Sequence, residues 1–205
     1  RDLSAAREGV VMDRGQAHTL EAITAAMILV SSLVFALQVT AVTPLTGSTS
    51  SQHIENQQAA VAEGLLATAE ENGTLTPTLL HWNDSAGTWH NATQDGYVQG
   101  APPTAFGATL ADALSDRGVA FDLTMHYVDA AGNRKSRAIV DLGEPSDHAT
   151  SATRLVTLED DDRLRTQGGS VSGTTLENAS YVVDDTVAEQ NLYAVVEVEL
   201  VVWRI

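Results

Sequence analysis

Cysteine is absent from the 205 residues of this chain, which excludes disulfides, thiolate nucleophiles and thiolate metal ligands. Cations are scarce as well. Ten arginines and one lysine, Lys135, stand against 27 acidic residues, for a net charge of −16. Phosphate groups are bound by clustered basic side chains, so this balance argues against nucleic acid, and against an anionic membrane surface, as partner. The chain has no His-Glu-x-x-His, no Gly-x-Ser-x-Gly elbow, no phosphate loop and no dinucleotide-binding fingerprint. Its histidines, His18, His53, His81, His90, His126 and His148, fall at no metal-ligand spacing. His81 and His90 flank a predicted hairpin where a pair can meet, and there they are expected to face solvent. The acidic run Glu159-Asp160-Asp161-Asp162 offers the hard oxygen ligands that calcium takes. It lacks the alternate acidic spacing and the turn glycine of an EF-hand loop, and reads as a solvated loop. The sequence predicts a protein that is not an enzyme and holds neither metal nor cofactor.

What the chain does contain begins with enough apolar residues to fold. At 43% hydrophobic content, with clear alternating runs, it opposes the disorder that a high net charge otherwise signals. Its length suits one domain of ordinary size plus an anchor. A dense carboxylate surface holds water and ions, and its self-repulsion is screened within about 3 Å at 1 M salt, so a halophilic setting fits. From Ala22 to Val42 no residue is charged, and Ile23, Met27, Ile28, Leu29, Val30, Leu33, Val34, Phe35 and Leu37 fill the stretch. As a helix it would run roughly 31 Å at about 1.5 Å per residue, close to the ~30 Å of bilayer hydrocarbon. A single pass through a membrane is predicted in preference to a buried core helix.

The flank of this span is Asp13-Arg14-Gly15-Gln16-Ala17-His18-Thr19-Leu20-Glu21. A secretory signal peptide would have a shorter apolar run, closed by a small-x-small site on its far side. Here the processing point, Arg14-Gly15 before Gln16, lies on the near side. At these residues the chain resembles the type IV pilin and archaellin superfamily, in particular haloarchaeal pilin-like proteins. The resemblance is specific over about the first 60 residues. It implies cleavage by a prepilin-type peptidase beside Gly15, retention of the helix, and a role for Glu21 in assembly with other pilin-like subunits. A cut after Gly15 makes Glu21 the sixth residue of the mature chain; a cut after Gln16 makes it the fifth, as in bacterial-type pilins. Met12 directly precedes Asp13, so it is either an initiator giving a four-residue leader or an internal residue. Before the span Arg1, Arg7 and Arg14 face Asp2, Glu8, Asp13 and Glu21; after it eight bases face 23 acids. This asymmetry predicts a cytoplasmic N-terminus and an extracellular C-terminal domain.

Residues 1–15 read as leader or cytoplasmic tail, 16–43 as the membrane helix in contact with lipid, 44–72 as a kink and amphipathic stem helix, and 73–205 as the outer domain. Thr43-Pro44 and the Gly/Ser/Thr residues through Ser51 predict a break. The stem's stripe is Ile54, Val61 and Leu65, widened by Ala62, Leu66 and Ala69, and Asn72-Gly73 is its stop. Leu79–Trp82 and Thr88–His90 read as a hairpin. Thr104–Arg117 reads as a helix with Phe106, Leu110, Ala113 and Leu114 inward. Val119–Tyr127, Lys135–Leu142 and Arg154–Leu158 read as strands, Gly168–Thr175 as loop, and Leu192–Ile205 as a strand apolar enough to be central. The predicted fold class is α+β, an antiparallel sheet packed on the amphipathic helix and one further helix. Asn72, Asn83, Asn91 and Asn178 each begin an Asn-x-Ser/Thr sequon, and in an exported domain they become glycan acceptors, Asn83 and Asn91 being best placed in loops. A structural pilin-like subunit leads; a single-pass surface protein whose glycosylated domain binds a target without polymerising comes second, and a membrane-tethered hydrolase with a scattered site is a far weaker third.

Overall fold

The computed structural model describes residues 5–41, 45–187 and 190–205, with side chains over 18–36, 52–187 and 190–205. The chain divides into two compact units, Arg1–Thr49 and Ser50–Ile205. The first is dominated by a single helix, α1, Ala5–Ala41. The residues expected as a tail are therefore helical from Ala5 onward, and Arg14, Gly15 and Gln16 lie within the helix. The kink expected at Thr43-Pro44 lies outside the described residues. The remainder of that stretch, expected as a turn, instead opens helix α2, Leu45–Glu71. A proline ahead of a helix costs it nothing, and the single Gly47 weakens it by only ~1 kcal/mol relative to alanine.

In the second unit α2 ends where expected, in a Schellman cap. Gly73 turns left-handed (φ 64°), its N–H donates to the Glu70 carbonyl at 2.9 Å, and the Thr74 N–H reaches the Ala69 carbonyl at 2.8 Å. The buried stripe of α2 is Ala62, Leu66 and Ala69, spaced i, i+4, i+7, while Ile54 and Val61 remain exposed and Leu65 is half-buried. The expected centre of the stripe is thus displaced by about one residue around the helix. Helix α3, Leu75–Leu79, follows, occupying the start of what was expected to be the hairpin. The hairpin itself is short: β1, Trp82–Asn83, pairs antiparallel with β2, Thr88–Trp89.

Helix α4, Ala105–Ala113, is capped by the Thr104 side chain, which accepts from the Gly107 N–H at 3.1 Å. A 3-10 turn, Ser115–Arg117, and left-handed Gly118 (φ 70°) close it. The main sheet has four antiparallel strands in the order β4-β3-β8-β5: β3 is Val119–Val128, β4 Arg134–Val140, β5 Thr150–Glu159 and β8 Leu192–Arg204. The strand expected to be central is central. Its inward residues Val196, Val198, Leu200 and Val202 join Phe121, Leu123 and Met125 of β3, Val156 and Leu158 of β5, and Leu66 of α2 in one core. Each such side chain, fully buried, contributes ~1.5–3 kcal/mol of transfer free energy. Contrary to the loop expected over Gly168–Thr175, Val171–Thr175 is strand β7, paired with β6, Arg163–Arg165. Its alternation is broken by Gly173, which hid it from a periodicity test.

Candidate functional site

Two places concentrate chemistry. The first is the stretch His18–Ala36 of α1, with a mean hydropathy of 1.9 and none of it buried. Ile28, Leu29 and Phe35 each leave more than two-thirds of their surface open. Two hydroxyls in the stretch bond within the helix. The Thr24 hydroxyl lies within bonding distance of the Leu20 and Glu21 carbonyls (3.0 and 2.9 Å), and the Ser32 hydroxyl donates to Leu29 at 2.9 Å. Glu21 stands at the polar end one helical turn from His18, with 3.7 Å between Oε2 and Nδ1, both side chains about four-fifths exposed. The helix can therefore present an apolar surface with one carboxylate at its edge.

The second place grows from a mirror in the sequence, His81-Trp82 before the Asn83–Gly87 turn and Trp89-His90 after it. Pairing Trp82 with Trp89 stacks the indoles edge to face at 5.1 Å, and Tyr181 and Tyr193 extend the stack. Every polar tip finds a backbone carbonyl. Trp82 Nε1 donates to Ser180, Trp89 Nε1 and the Tyr181 hydroxyl to Leu79, and the Tyr193 hydroxyl to Val183. Burial pushes the Tyr181 and Tyr97 hydroxyls far above their ordinary pKa and Tyr193 up to about 12, so all three remain donors. The two histidines, expected to face solvent, instead meet with their ring centroids 5.0 Å apart, and His81 is fully buried. Its Nε2 lies 3.3 Å from the Gln167 carbonyl and its Nδ1 3.2 Å from the Tyr97 hydroxyl, which itself donates to the His90 carbonyl at 2.6 Å. His90 Nε2 reaches the Arg165 carbonyl at 3.0 Å. This network fastens the hairpin to the β6–β7 ribbon. Only the mirrored His-Trp pairs signalled it in sequence; Tyr97, Gln167 and Tyr181 stand in stretches without periodicity.

Burial lowers the His81 pKa, with help from the nearby His90, against the carbonyl of Gln167 that raises it. The folded ring therefore binds its proton less readily than the unfolded one, and stability present above pH ~6.5 is lost as pH falls through the folded value. Urea melts at pH 7.5 and 5.0 are expected to show this loss in the wild type and a smaller one in His81→Gln, each unit of depression accounting for ~1.4 kcal/mol. Equal acid sensitivity in both proteins would assign it to other groups.

The sequons lie at the surface. Asn72 caps α2 and is exposed; Asn83 ends β1, half-buried, its Oδ1 accepting from the Ala86 N–H at 3.2 Å. Exposed Asn91 is left-handed (φ 64°) and takes a 2.6 Å bond from Gln167 Nε2, beside a cleft of about 450 Å³ lined by Thr93, Tyr97, Gln99 and Pro103. Asn178, also exposed, donates from Nδ2 to the Thr175 hydroxyl at 2.8 Å. The acidic run makes the turn after β5, where Asp162 Oδ2 accepts from the Glu159 N–H at 2.9 Å. Desolvation, then Asp185 and Glu177, hold the Asp160 carboxyl above the usual range. Among the described residues no group of three His, Cys, Asp or Glu side chains is placed to hold a metal. The remaining histidines pair with acids or stand exposed: His126 with Glu199 at 3.0 Å, His148 with Glu55 at 2.8 Å, and His53 exposed.

A family model described as a family of unknown function, DUF7288, matches residues 14–202. No curated protein and no solved structure matches the chain.

Proposed function

We propose that this chain, which belongs to the DUF7288 family of unknown function, is a membrane-anchored structural subunit of the pilin type. Its N-terminus is cytoplasmic and its α+β domain is displayed outside the cell. The observation that carries the reading is the apolar stretch His18–Ala36, wholly exposed, with the Thr24 and Ser32 hydroxyls bonded inside the helix and a carboxylate at its threshold. In lipid such a surface is no longer a liability, because every backbone group is satisfied internally. A charge at a helix centre in the membrane costs on the order of 2.5 to 3.5 kcal/mol and less near the interface, so Glu21 calls for a partner. By the resemblance to pilins, cleavage beside Gly15 frees an α-amino group, and Glu21 of one subunit neutralises that amine on the next. Membrane lipid, other pilin-like subunits and a prepilin-type peptidase are the partners this requires.

The test combines intact-mass analysis of protein purified from native membranes with the variant Glu21→Gln. A mature mass beginning beside Gly15, with glycan on at least one of Asn72, Asn83, Asn91 and Asn178, is expected. Glu21→Gln should reach the membrane at normal abundance while co-purification of subunits falls about tenfold, the equivalent of ~1.4 kcal/mol. An uncut N-terminus with unchanged complexes in Glu21→Gln would leave instead a single-pass surface protein whose domain acts alone.

A further inference from the structure

The two edges of the main sheet are finished differently. Along β4, Arg134, Lys135 and Arg137 place three cations in seven residues. The strand is also covered at its far end: the Tyr97 N–H donates to the Ile139 carbonyl at 2.9 Å, and Asp141 returns a bond to Tyr97 at 3.1 Å. Gly96 (φ 91°) lies so close that a Cβ there would stand 2.6 Å from the Ile139 oxygen. Charge and cover of this kind are how natural sheets keep an edge from pairing with another chain.

Edge strand β5 is uncovered, and its charge is sparse and engaged within the domain. Its ten residues contain no proline, and before the terminal Glu159 the only charge is Arg154. That residue stands opposite inward-facing Val198, and its guanidinium is engaged by Glu70 of α2. Among the described residues, nothing other than β8 hydrogen-bonds to the backbone of residues 150–158. On the outward face of the strand Leu155 is 62% exposed, more than any other large apolar side chain of the four-stranded sheet.

We propose that the free edge of β5 pairs with the β5 of a second copy of this chain, antiparallel, about a two-fold axis at Leu155, so that two four-stranded sheets become one. Identical strands related by a two-fold centred on a residue match inward side chains with inward and outward with outward, as a continuous sheet requires. Centring on Leu155 sets Thr153 against Thr157, Ala152 against Leu158 and Arg154 against Val156. It also buries the two Leu155 side chains on each other at roughly 4.5–5.5 Å between Cβ atoms. Centring on Arg154 would put two guanidinium groups directly opposite, which is unfavourable. Copies carrying −16 each repel almost everywhere, and this edge, its one cation neutralised, is where a copy approaches at least cost. Screening at molar salt removes most of the remaining opposition. The contact is isologous and closes at two chains, so growth of a filament would use other surfaces, and the pairing does not depend on the pilin reading.

Because the chain has no cysteine, one introduced thiol reports alone. With the full-length protein in membranes at molar KCl under mild oxidant, Leu155→Cys is expected to give a disulfide-linked dimer. Its yield should exceed that of Ser136→Cys, on the opposite edge, by about tenfold. Thr153→Cys mixed with Thr157→Cys should cross-link better than either variant alone. In unmodified protein, the amides of residues 150–158 that face away from β8 should also be protected from hydrogen exchange. Equal dimer from Leu155→Cys and Ser136→Cys would mean random collision and would overturn the proposal. A monomeric Leu155→Cys that melts like the wild type would overturn it too. Protection of those edge-facing amides together with an unlinked Leu155→Cys would assign the edge to a strand from a different protein, and equally end the two-copy arrangement.

Discussion

In dilute buffer the domain Ser50–Ile205 is expected to unfold, and in molar KCl to fold again. After the apolar span 23 acids face eight bases, and three of those bases already hold an acid. Arg134 pairs with Glu197 at 2.8 Å, Lys135 with Asp129 at 3.8 Å, and Arg154 with Glu70. Exposed pairs of this kind are each worth ~0–1 kcal/mol and cannot offset repulsion spread over the surface. The turn after β5 shows the crowding directly, where the carboxyl of Asp160 is held up by desolvation and by Asp185, Glu177 and Asp161. The screening length falls from ~30 Å at 0.01 M salt to ~3 Å at 1 M. If the relieved repulsion is comparable with the stability of a small domain, about 5 kcal/mol, Tm rises by roughly 10–20 °C at 2–4 °C per kcal/mol. Circular-dichroism melts between 10 mM and molar KCl measure it. A Tm that stays level across that range would remove the halophilic interpretation of the charge.

Gly107→Ala is expected to lower Tm by roughly 6–12 °C, for about 3 kcal/mol lost. Gly107 is buried in the first turn of α4, where an added Cβ would stand 1.9 Å from the Pro102 carbonyl oxygen. Pro102 cannot retreat easily. Its oxygen accepts from the Thr104 N–H at 2.8 Å, and the Thr104 hydroxyl caps α4 while lying 2.8 Å from the Thr78 hydroxyl of α3. Gly64→Ala is the matched comparison, since Gly64 is helical and a Cβ there meets nothing within 4 Å. It should stabilise by ~0.5–1 kcal/mol. Denaturant titration of the pair gives a difference of opposite signs if close approach sets the cost. Two variants of like stability would show that α4 yields instead.

What could be read from the sequence follows the reach of each signal. Leu192–Arg204 declared itself as central because its apolar residues alternate over its whole length, a signal carried within the strand. Thr104 and Gly118 marked the α4 region for the same local reason, a cap and a left-handed stop. The stripe of α2 was displaced because Ile54, Val61 and Leu65 are larger than Ala62 and Ala69. Size suggested burial where the core selected alanines for close approach. The ribbon of β6 and β7 escaped notice because its strands are only three and five residues long and Gly173 interrupts the period. His81 was misplaced to solvent for a related reason, since the groups that enclose it, Gln167 and Tyr97, come from distant segments. The carboxylate at Glu21 and the sequons were legible as residue types, but their surroundings were not.

Strand β8 bonds to β3 on one side and to β5 on the other, yet of these four strands it is the last to leave the ribosome. Until it arrives the β3–β4 hairpin and β5 have no shared sheet, and the inward faces of Phe121, Leu123, Met125, Val156 and Leu158 lack the layer that unites them. The domain thus stays open through most of its synthesis and closes in one late step joining segments far apart in the chain, the kind of non-local pairing that folds slowly. On the proposed reading, in which the domain crosses a membrane before it folds, this order delays closure, since the keystone of the sheet is among the last parts threaded through.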